Sequence, residues 1–478
     1  MPAHSTSRHV IGEHRNAMQS ALLVWFEGVR TARNMPWRKP FDGHATPAGR
    51  AQRAYEVWVS EIMLQQTQVA TVIPYFNRWM ESFPTVKDLA ASDIDTVNQL
   101  WKGLGYYSRA ARLLAGAKKV VEELGGRLPD NARDMQASMP GIGRYTAGAI
   151  CSIAYNEQVP VLDGNVTRLL SRILALHAPP KAKATTEILW DGAEALVKDC
   201  DRAGELNQSL IELGSTVCKP RDPACGGCPV KAWCQAYRIA HNKPEADLAD
   251  IEDGCTLCAP VPLEHAARAP PVTAYPMKTE RKKQREELDM VHVVEWRRES
   301  ERWFLLVRRP DAGLLAGLYE FPTQPNISVD EPAASAPHLL PLLAGLLIRV
   351  PDGLSAKAPK DAAGLRLAKT YSAGDVKHVF SHIIKTYRVV WAVLEGDEEG
   401  EGPPALKLEV QDPRENGGQG GKAKGKKGKV GPVKDASRKD GEETPPSAMW
   451  VRLADVEHAN VGTGVMKIWK LVRALWDE

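Results

Sequence analysis

The segment CKPRDPACGGCPVKAWC sets Cys218, Cys225, Cys228 and Cys234 at spacings of six, two and five residues. Four thiols within 17 residues can close around one metal centre, and the prolines and glycines between them supply the turns that a wrapped loop needs. Six of the eight cysteines fall between Cys218 and Cys258, too few and too clustered for a disulfide scaffold in 478 residues. The pattern points to metal ligation in a reducing compartment. Four-cysteine zinc also uses short C-x2-C arms, but the unequal spacing departs from a pair of matched arms and favours a [4Fe-4S] cluster.

A chain of this length exceeds one ordinary core, so two domains and a connector are expected. The 43% apolar and 25% charged content is that of a soluble globular protein, and no run approaches the roughly 20 apolar residues of a membrane span. A net charge of +3 announces no nucleic-acid binder, so any basic surface must be local. Residues 1–16 lack the apolar core of a secretory signal and read as a flexible N-terminus, with room for a mitochondrial signal.

From 17 to 240 apolar residues recur at helical spacing, as in Val57, Trp58, Ile62 and Val69, which predicts an all-α domain. Residues 241–287, with Pro-rich APPVTAYP and the basic run Lys278–Arg285, suit a connector. Residues 288–478 carry β-like runs at Met290–Trp296, Trp303–Val307 and Thr386–Leu394 and an apolar-periodic end at Val465–Trp476, predicting an α+β domain. Within it, 396–446 is too rich in Gly, Lys and acids to bury a core and reads as a disordered insertion. Its lysines serve either as a solvated spacer or as a nuclear-import or DNA-contacting patch.

Met139-Pro-Gly-Ile-Gly-Arg-Tyr-Thr reads as a turn between two helices. Gly141 and Gly143 let the backbone approach a bound group, and the following helix aims its N-terminal amides there, a phosphate-binding device. A plain helix-helix turn is the alternative. With the cysteine set following some 70 residues later, this order resembles the helix-hairpin-helix DNA glycosylases of the endonuclease III superfamily. WVSEIMLQQTQVATVIPYF, LWKGLGYYSRA and VLDGNVTR closely resemble the adenine DNA glycosylases, the MutY family, from about Met35 to Tyr237. Tyr145 and the long connector resemble a eukaryotic member, which implies a nuclear location, with the mitochondrion as a further one.

Cleaving an N-glycosidic bond requires a proton on the departing base and stabilisation of a cationic sugar. Glu61, amid Trp58, Val59, Ile62, Met63 and Leu64, sits where its charge is disfavoured. Asp163 follows an apolar run and precedes a helix starting near Gly164. By residue type alone, Glu61 could face solvent and Asp163 could be a helix N-cap. The resemblance implies Glu61 as the acid toward adenine N7 and Asp163 as the group that stabilises the sugar cation, assisted by Tyr145 and Asn165. Glycosylases that also cut the strand keep a Lys where this chain has Tyr145, so a monofunctional enzyme is expected. Gln65, Gln66 and Tyr106 match family positions that enter or flank the DNA stack once the base is flipped. Gln65, four residues after Glu61, would share its face on a continuing helix, and QQTQ reads equally as a polar helix face.

Cys255-Thr-Leu-Cys258 is a second C-x2-C pair, either two free thiols or half of a zinc site completed by distant residues such as His9 or His14. FLLVRRPDAGLLAGLYEFP resembles the start of a Nudix-like C-terminal domain, but no Glu-rich metal-binding helix follows Glu320, so phosphohydrolase activity is not expected. The resemblance implies that Phe380, Ser381 and His382 contact 8-oxoguanine opposite the target adenine, although an ordinary strand entry fits these residue types too. The implied partner is duplex DNA with 8-oxoguanine:adenine or guanine:adenine mispairs. The chain is expected to act as a monomer, with repair or replication proteins docking on the connector. An endonuclease III-like enzyme acting on oxidised pyrimidines, and a silent DNA-binding protein that keeps the cluster, are the competing readings.

Overall fold

The computed structural model describes residues 4–241, 254–261, 270–278, 283–310, 313–331, 338–351, 364–380, 382–396, 402–407 and 447–476. They divide into two compact units, Met1–Lys282 and Lys283–Glu478.

The first unit is helical. In chain order it contains α1 (Arg15–Val29), α2 (Pro47–Leu64), α3 (Val69–Ser82), α4 (Val86–Ala90), α5 (Ile94–Trp101) and α6 (Ser108–Glu123). There follow α7 (Ala132–Ser138), α8 (Arg144–Tyr155), α9 (Gly164–Ile173), α10 (Lys183–Val197), α11 (Ala203–Thr216) and α12 (Gln235–His241). Helix α2 starts where Thr46 Oγ1 accepts the Gly49 amide at 3.1 Å and Pro47 takes the first position, where its missing N–H costs nothing. It buries Tyr55, Trp58, Val59, Ile62 and Met63. At roughly 1.5–3 kcal/mol for each large side chain removed from water, this face can carry one buried carboxyl, Glu61.

Helices α7 and α8 flank the predicted turn. Gly141 has φ 74°, and a Cβ there would stand 2.7 Å from Arg112 Cδ, so this position requires glycine. Helix α8 is buried from Thr146 through Ala154 and runs through the unit against α2 and α11. The start of α9 lies hard against α11, since a Cβ on Gly214 would meet Asn165 O at 2.8 Å.

Two stretches depart from expectation. Residues 1–16 were expected to be flexible, yet from His4 they form a 3-10 turn, Thr6–His9, with His4 and His9 buried and Ser5 bridged to Gly254. Part of the connector 241–287 is likewise packed on the helical unit. Ala259 N donates to His177 O at 2.9 Å, and Val272 and Tyr275 bury beside Cys225, Cys234 and Tyr237. Low apolar content hid both stretches, because each is anchored by a few long-range contacts.

The second unit is α+β. Its strands are β1 (Arg285–Arg298), β2 (Glu301–Arg308), β3 (Tyr319–Glu320), β4 (Thr323–Gln324), β5 (Arg366–Val379), β6 (Ile383–Glu395) and β7 (Ala448–Arg452), with helices α13 (Leu339–Leu346) and α14 (Thr463–Ala474). The sheet order is β3-β2-β1-β6-β5, with β4 on β1 and β7 on β2. Strands β1 and β6 are parallel, from Arg285 opposite Ile383 to Arg297 opposite Glu395, and the other pairs are antiparallel. Alternate residues of β1 serve the two faces. Val291 and Val293 pack with Trp469 of α14, while Val294 and Trp296 pack with Leu339 and Leu343 of α13.

The insertion expected to be disordered over 396–446 is ordered in part. Leu406 bridges Leu347, and Pro404 O accepts Trp450 Nε1 at 2.9 Å. Most of the rest lies outside the described residues.

Candidate active site

A cavity of about 1050 Å³ opens in the helical unit, walled by α2, the starts of α3, α8 and α9, and the end of α11. It brings together Glu61, Tyr145, Asp163 and Asn165, with Gln65 and Gln66 at its edge. These residues come from three separate helices and two loops.

Glu61 does not face bulk solvent, being 8% exposed. Burial pushes its carboxyl from 4.5 up to about 7, the Tyr145 hydrogen bond pulls it back, the charge of Asp163 pushes it further up and Arg38 pulls it down. Tyr145 Oη donates to Glu61 Oε2 at 2.8 Å. Burial also holds the Tyr145 phenol well above its ordinary range, with the charge of Glu61 adding to the effect. A carboxyl poised near neutrality in a cavity can deliver a proton at physiological pH.

Asp163 realises the N-cap alternative and still lines the cavity. Its Oδ1 accepts the Val166 amide at 2.7 Å and its Oδ2 accepts Asn165 Nδ2 at 2.9 Å, so the carboxyl is held at the N-terminus of α9. The orientation is carried further, because Arg168 Nη2 donates to Asn165 Oδ1 at 2.9 Å and Arg168 Nε to Cys218 O at 2.9 Å. A chain of hydrogen bonds thus runs from Asp163 to the first loop cysteine.

Gln65 corrects the expectation of a continuing helix. Helix α2 stops at Leu64, Gln65 leaves it at ψ 111°, and Gln66 takes φ 58°, so the two glutamines reach the cavity from a turn. Tyr106, Gly141 and Gly143 lie outside this cavity. Tyr106 stands 46% exposed in the α5–α6 turn with φ 51°, and Gly143 is the N-cap of α8. In the second unit Phe380 and His382 sit at the tip of the β5–β6 hairpin, where Phe380 N donates to Ile383 O at 2.8 Å and the Phe380 ring meets His378 edge-on. Ser381 lies outside the described residues.

Sequence reading missed a charged wall of the same cavity. Glu212, on α11 and 2% exposed, pairs with Arg38 Nη2 at 2.8 Å and Arg33 Nη1 at 3.2 Å. Arg38 Nη1 is buried without a hydrogen-bond partner. No local pattern in the sequence marks these residues.

Cys218, Cys225, Cys228 and Cys234 line one small cavity with Arg172 and Val230. Arg172, 1% exposed, donates to Cys218 Sγ at 3.2 Å and to Lys219 O at 2.8 Å. Burial pushes Cys228 up to about 11 and Cys234 to about 12, so bound cations would be needed to hold these thiols as thiolates. Four thiols framing a cavity, with a guanidinium against one sulfur, fit a multi-atom cluster.

Near the connector, His4, His9, Cys255 and Cys258 offer ligand atoms that all lie within 4.8 Å of one another. His9 Nε2 is 3.4 Å from each sulfur and 3.2 Å from His4 Nε2, while its Nδ1 is fixed by Leu174 O at 2.9 Å. Two imidazoles and two thiols at this separation fit a tetrahedral zinc ion, with the hydrogen bond to Leu174 orienting one ring. Of the two distant histidines considered from sequence, His9 joins the pair and His14 precedes α1; His4 went unforeseen.

Residues 59–195 match the family described as HhH-GPD superfamily base excision DNA repair protein. The chain is 43% identical over 390 residues to an adenine DNA glycosylase of Rattus norvegicus, covering 80% of this chain and 71% of that protein. Among solved structures, a thermostable thymine-DNA glycosylase matches at 23% identity and a TM-score of 0.40, covering 47% of this chain and 97% of that one. The C-terminal domain of mouse MUTYH, solved in complex with human PCNA, matches at 22% identity and a TM-score of 0.24, covering 41% of this chain and 92% of that one.

Proposed function

The chain belongs to the adenine DNA glycosylases of the HhH-GPD superfamily, and from that premise we propose that it excises adenine mispaired with 8-oxoguanine or guanine in duplex DNA. The observation that carries this reading is the buried Glu61, raised to about 7 and hydrogen-bonded to Tyr145, sharing a cavity with the N-capping Asp163.

A nucleotide flipped out of the stack would enter that cavity, which is large enough for a base and its sugar. Gln65, Gln66 and Tyr106 would occupy or flank the gap left in the DNA. Gly141, Gly143 and the first amides of α8 would hold a backbone phosphate. Protonated Glu61 would deliver its proton to the base as the glycosidic bond lengthens, and the carboxylate of Asp163, held by Asn165 and the Val166 amide, would stabilise the cationic sugar. Arg33, Arg38 and Glu212 offer both donors and an acceptor to the edge of the base. No described residue lining the cavity is a lysine, which supports hydrolysis without Schiff-base strand cleavage.

Cys218, Cys225, Cys228 and Cys234 would hold a [4Fe-4S] cluster, which when bound supplies a structural crosslink within the loop. Zinc on His4, His9, Cys255 and Cys258 would pin the N-terminus to the connector. The tip of the β5–β6 hairpin, Phe380 to His382, would read the base opposite the adenine.

A base-release assay on three duplexes tests the proposal: adenine opposite 8-oxoguanine, adenine opposite guanine, and thymine glycol opposite adenine. Release of adenine from the first two with no strand scission is expected. Release of thymine glycol, or product trapped by borohydride, would replace the reading with an endonuclease III-like one.

A further inference from the structure

We infer that Arg109 is a positioning residue of the excision reaction, tying the turn that presents Tyr106 to the end of the helix that carries Glu61. Arg109 is the second residue of α6 and is 5% exposed. Its Nη1 donates to the carbonyls of Ile62 at 2.9 Å, Met63 at 3.0 Å and Gln65 at 2.6 Å. Its Nη2 donates to Gly105 O at 2.9 Å and Leu104 O at 3.3 Å. The guanidinium also lies 5.2 Å from the centroid of Trp101 and 5.3 Å from that of Tyr106. None of these oxygen acceptors is a carboxylate. The charge is set against the orphan carbonyls and negative dipole end of α2, and against the α5–α6 turn.

The position of the clamp is specific. Gln66 and Tyr106 are both non-glycine residues in the left-handed region, with φ 58° and 51°. Such conformations persist where the surroundings over-determine them. Arg109 holds the carbonyl of the peptide preceding each one, Gln65 O and Gly105 O. One planar fork therefore fixes both peptide planes, and a lysine, with a single ammonium, cannot span them. Tyr106 stands exposed, whereas Gln65 and Gln66 line the cavity with Glu61. A displacement of the Tyr106 turn on DNA is thereby passed to the last turn of α2. Arg109 governs how fast a bound duplex reacts rather than how tightly it binds.

The inference rests on reading Glu61 as the acid and Tyr106 as a DNA contact, and the experiment separates the two. In the full chain, Arg109→Lys, Tyr106→Leu, their double variant and Glu61→Gln are compared by single-turnover adenine release and by affinity for an undamaged duplex. Arg109→Lys is expected to bind within about two-fold of the unaltered chain yet release adenine about 10- to 100-fold more slowly, as a small misplacement of a catalytic group would. In the Tyr106→Leu background the same substitution should add less than about three-fold, because the coupled turn is already lost. An unaltered rate in Arg109→Lys, fully multiplicative effects, or a loss that follows melting temperature would overturn the role of Arg109. An active Glu61→Gln would instead remove the underlying assignment of the acid. If Arg109→Lys does not fold, hydrogen exchange in the unaltered chain decides: amides 63–67 and 104–107 should change protection together on adding the undamaged duplex, and independent changes would reject the coupling.

Discussion

The helical unit and the sheet unit each bury a glutamate, and the two carboxyls are driven in opposite directions. Glu61 keeps one neutral hydroxyl donor, Tyr145, and burial carries it up to about 7. Glu295, 0% exposed, accepts the Nε of both Arg297 and Arg302 at 2.5 Å and Trp391 Nε1 at 2.8 Å. Burial pushes this carboxyl up as well, but hydrogen bonds and charge from Arg302 and Arg297 outweigh it and hold it below the ordinary 4.5. Burial alone therefore does not set a carboxyl's role. A carboxylate clamped by two guanidinia is a strut, while one held by a hydroxyl beside a cavity can give up a proton.

The largest effect should come from removing the exchangeable proton or its partner charge. Glu61→Gln and Asp163→Asn are each expected to slow adenine release by roughly 10²- to 10⁴-fold while leaving duplex binding intact; near-normal turnover in either would end the assignment. Removing the strut should act on stability instead. Glu295→Ala strands Arg297, Arg302 and the Trp391 N–H, at a cost of about 3–4 kcal/mol because both guanidinia keep some solvent. Adenine release per folded molecule should not change, and denaturant unfolding of the sheet unit measures the loss.

The pH dependence separates the two further. Glu61 is raised in the fold, so its contribution to stability is complete below the unfolded value of 4.5 and is lost as pH rises through about 7. Glu61→Gln should therefore stabilise the chain at pH 8, by on the order of 3 kcal/mol, and hardly at all near pH 4.5. Glu295 is lowered, so its contribution is present above 4.5 and is lost in acid, and the Glu295→Ala deficit should shrink below that pH. Urea titrations at about pH 3, 4.5 and 8 cover both windows, the Glu61→Gln gain growing between pH 4.5 and 8 and the Glu295→Ala deficit shrinking between pH 4.5 and 3, and any other pattern would show the comparison to be wrong. The smallest effect concerns Tyr145. Its hydroxyl favours the charged form of Glu61, so Tyr145→Phe should push the carboxyl further up and move the alkaline limb of the single-turnover pH profile by about one pH unit. A limb that stays in place would show that this hydrogen bond does not tune the acid.

Much of the framework was legible because it is periodic or punctuated. The apolar stripe of α2, the Gly141 turn, and the apolar runs of β1, β2 and β6 follow from spacing and turn chemistry. Strand β5 escaped notice because it alternates partly buried with exposed polar residues such as Lys369, Asp375 and Lys377, leaving no apolar signal. Gln65 was misread for a related reason: helical periodicity predicts a face but not where the helix stops, and here a clamped turn ends it.

The sequence by itself determined the four-cysteine loop and the helical and α+β division, which rest on residue type and local order, while the pair Glu61 and Asp163 came from the family resemblance carried by WVSEIMLQQTQVATVIPYF and VLDGNVTR. Only the tertiary structure decided that Glu212, Arg33 and Arg38 join that pair, that His4 and His9 meet Cys255 and Cys258, and that Arg109 spans two turns. These are meetings of side chains far apart along the chain, fixed by how helices pack, and packing geometry leaves no mark on local spacing.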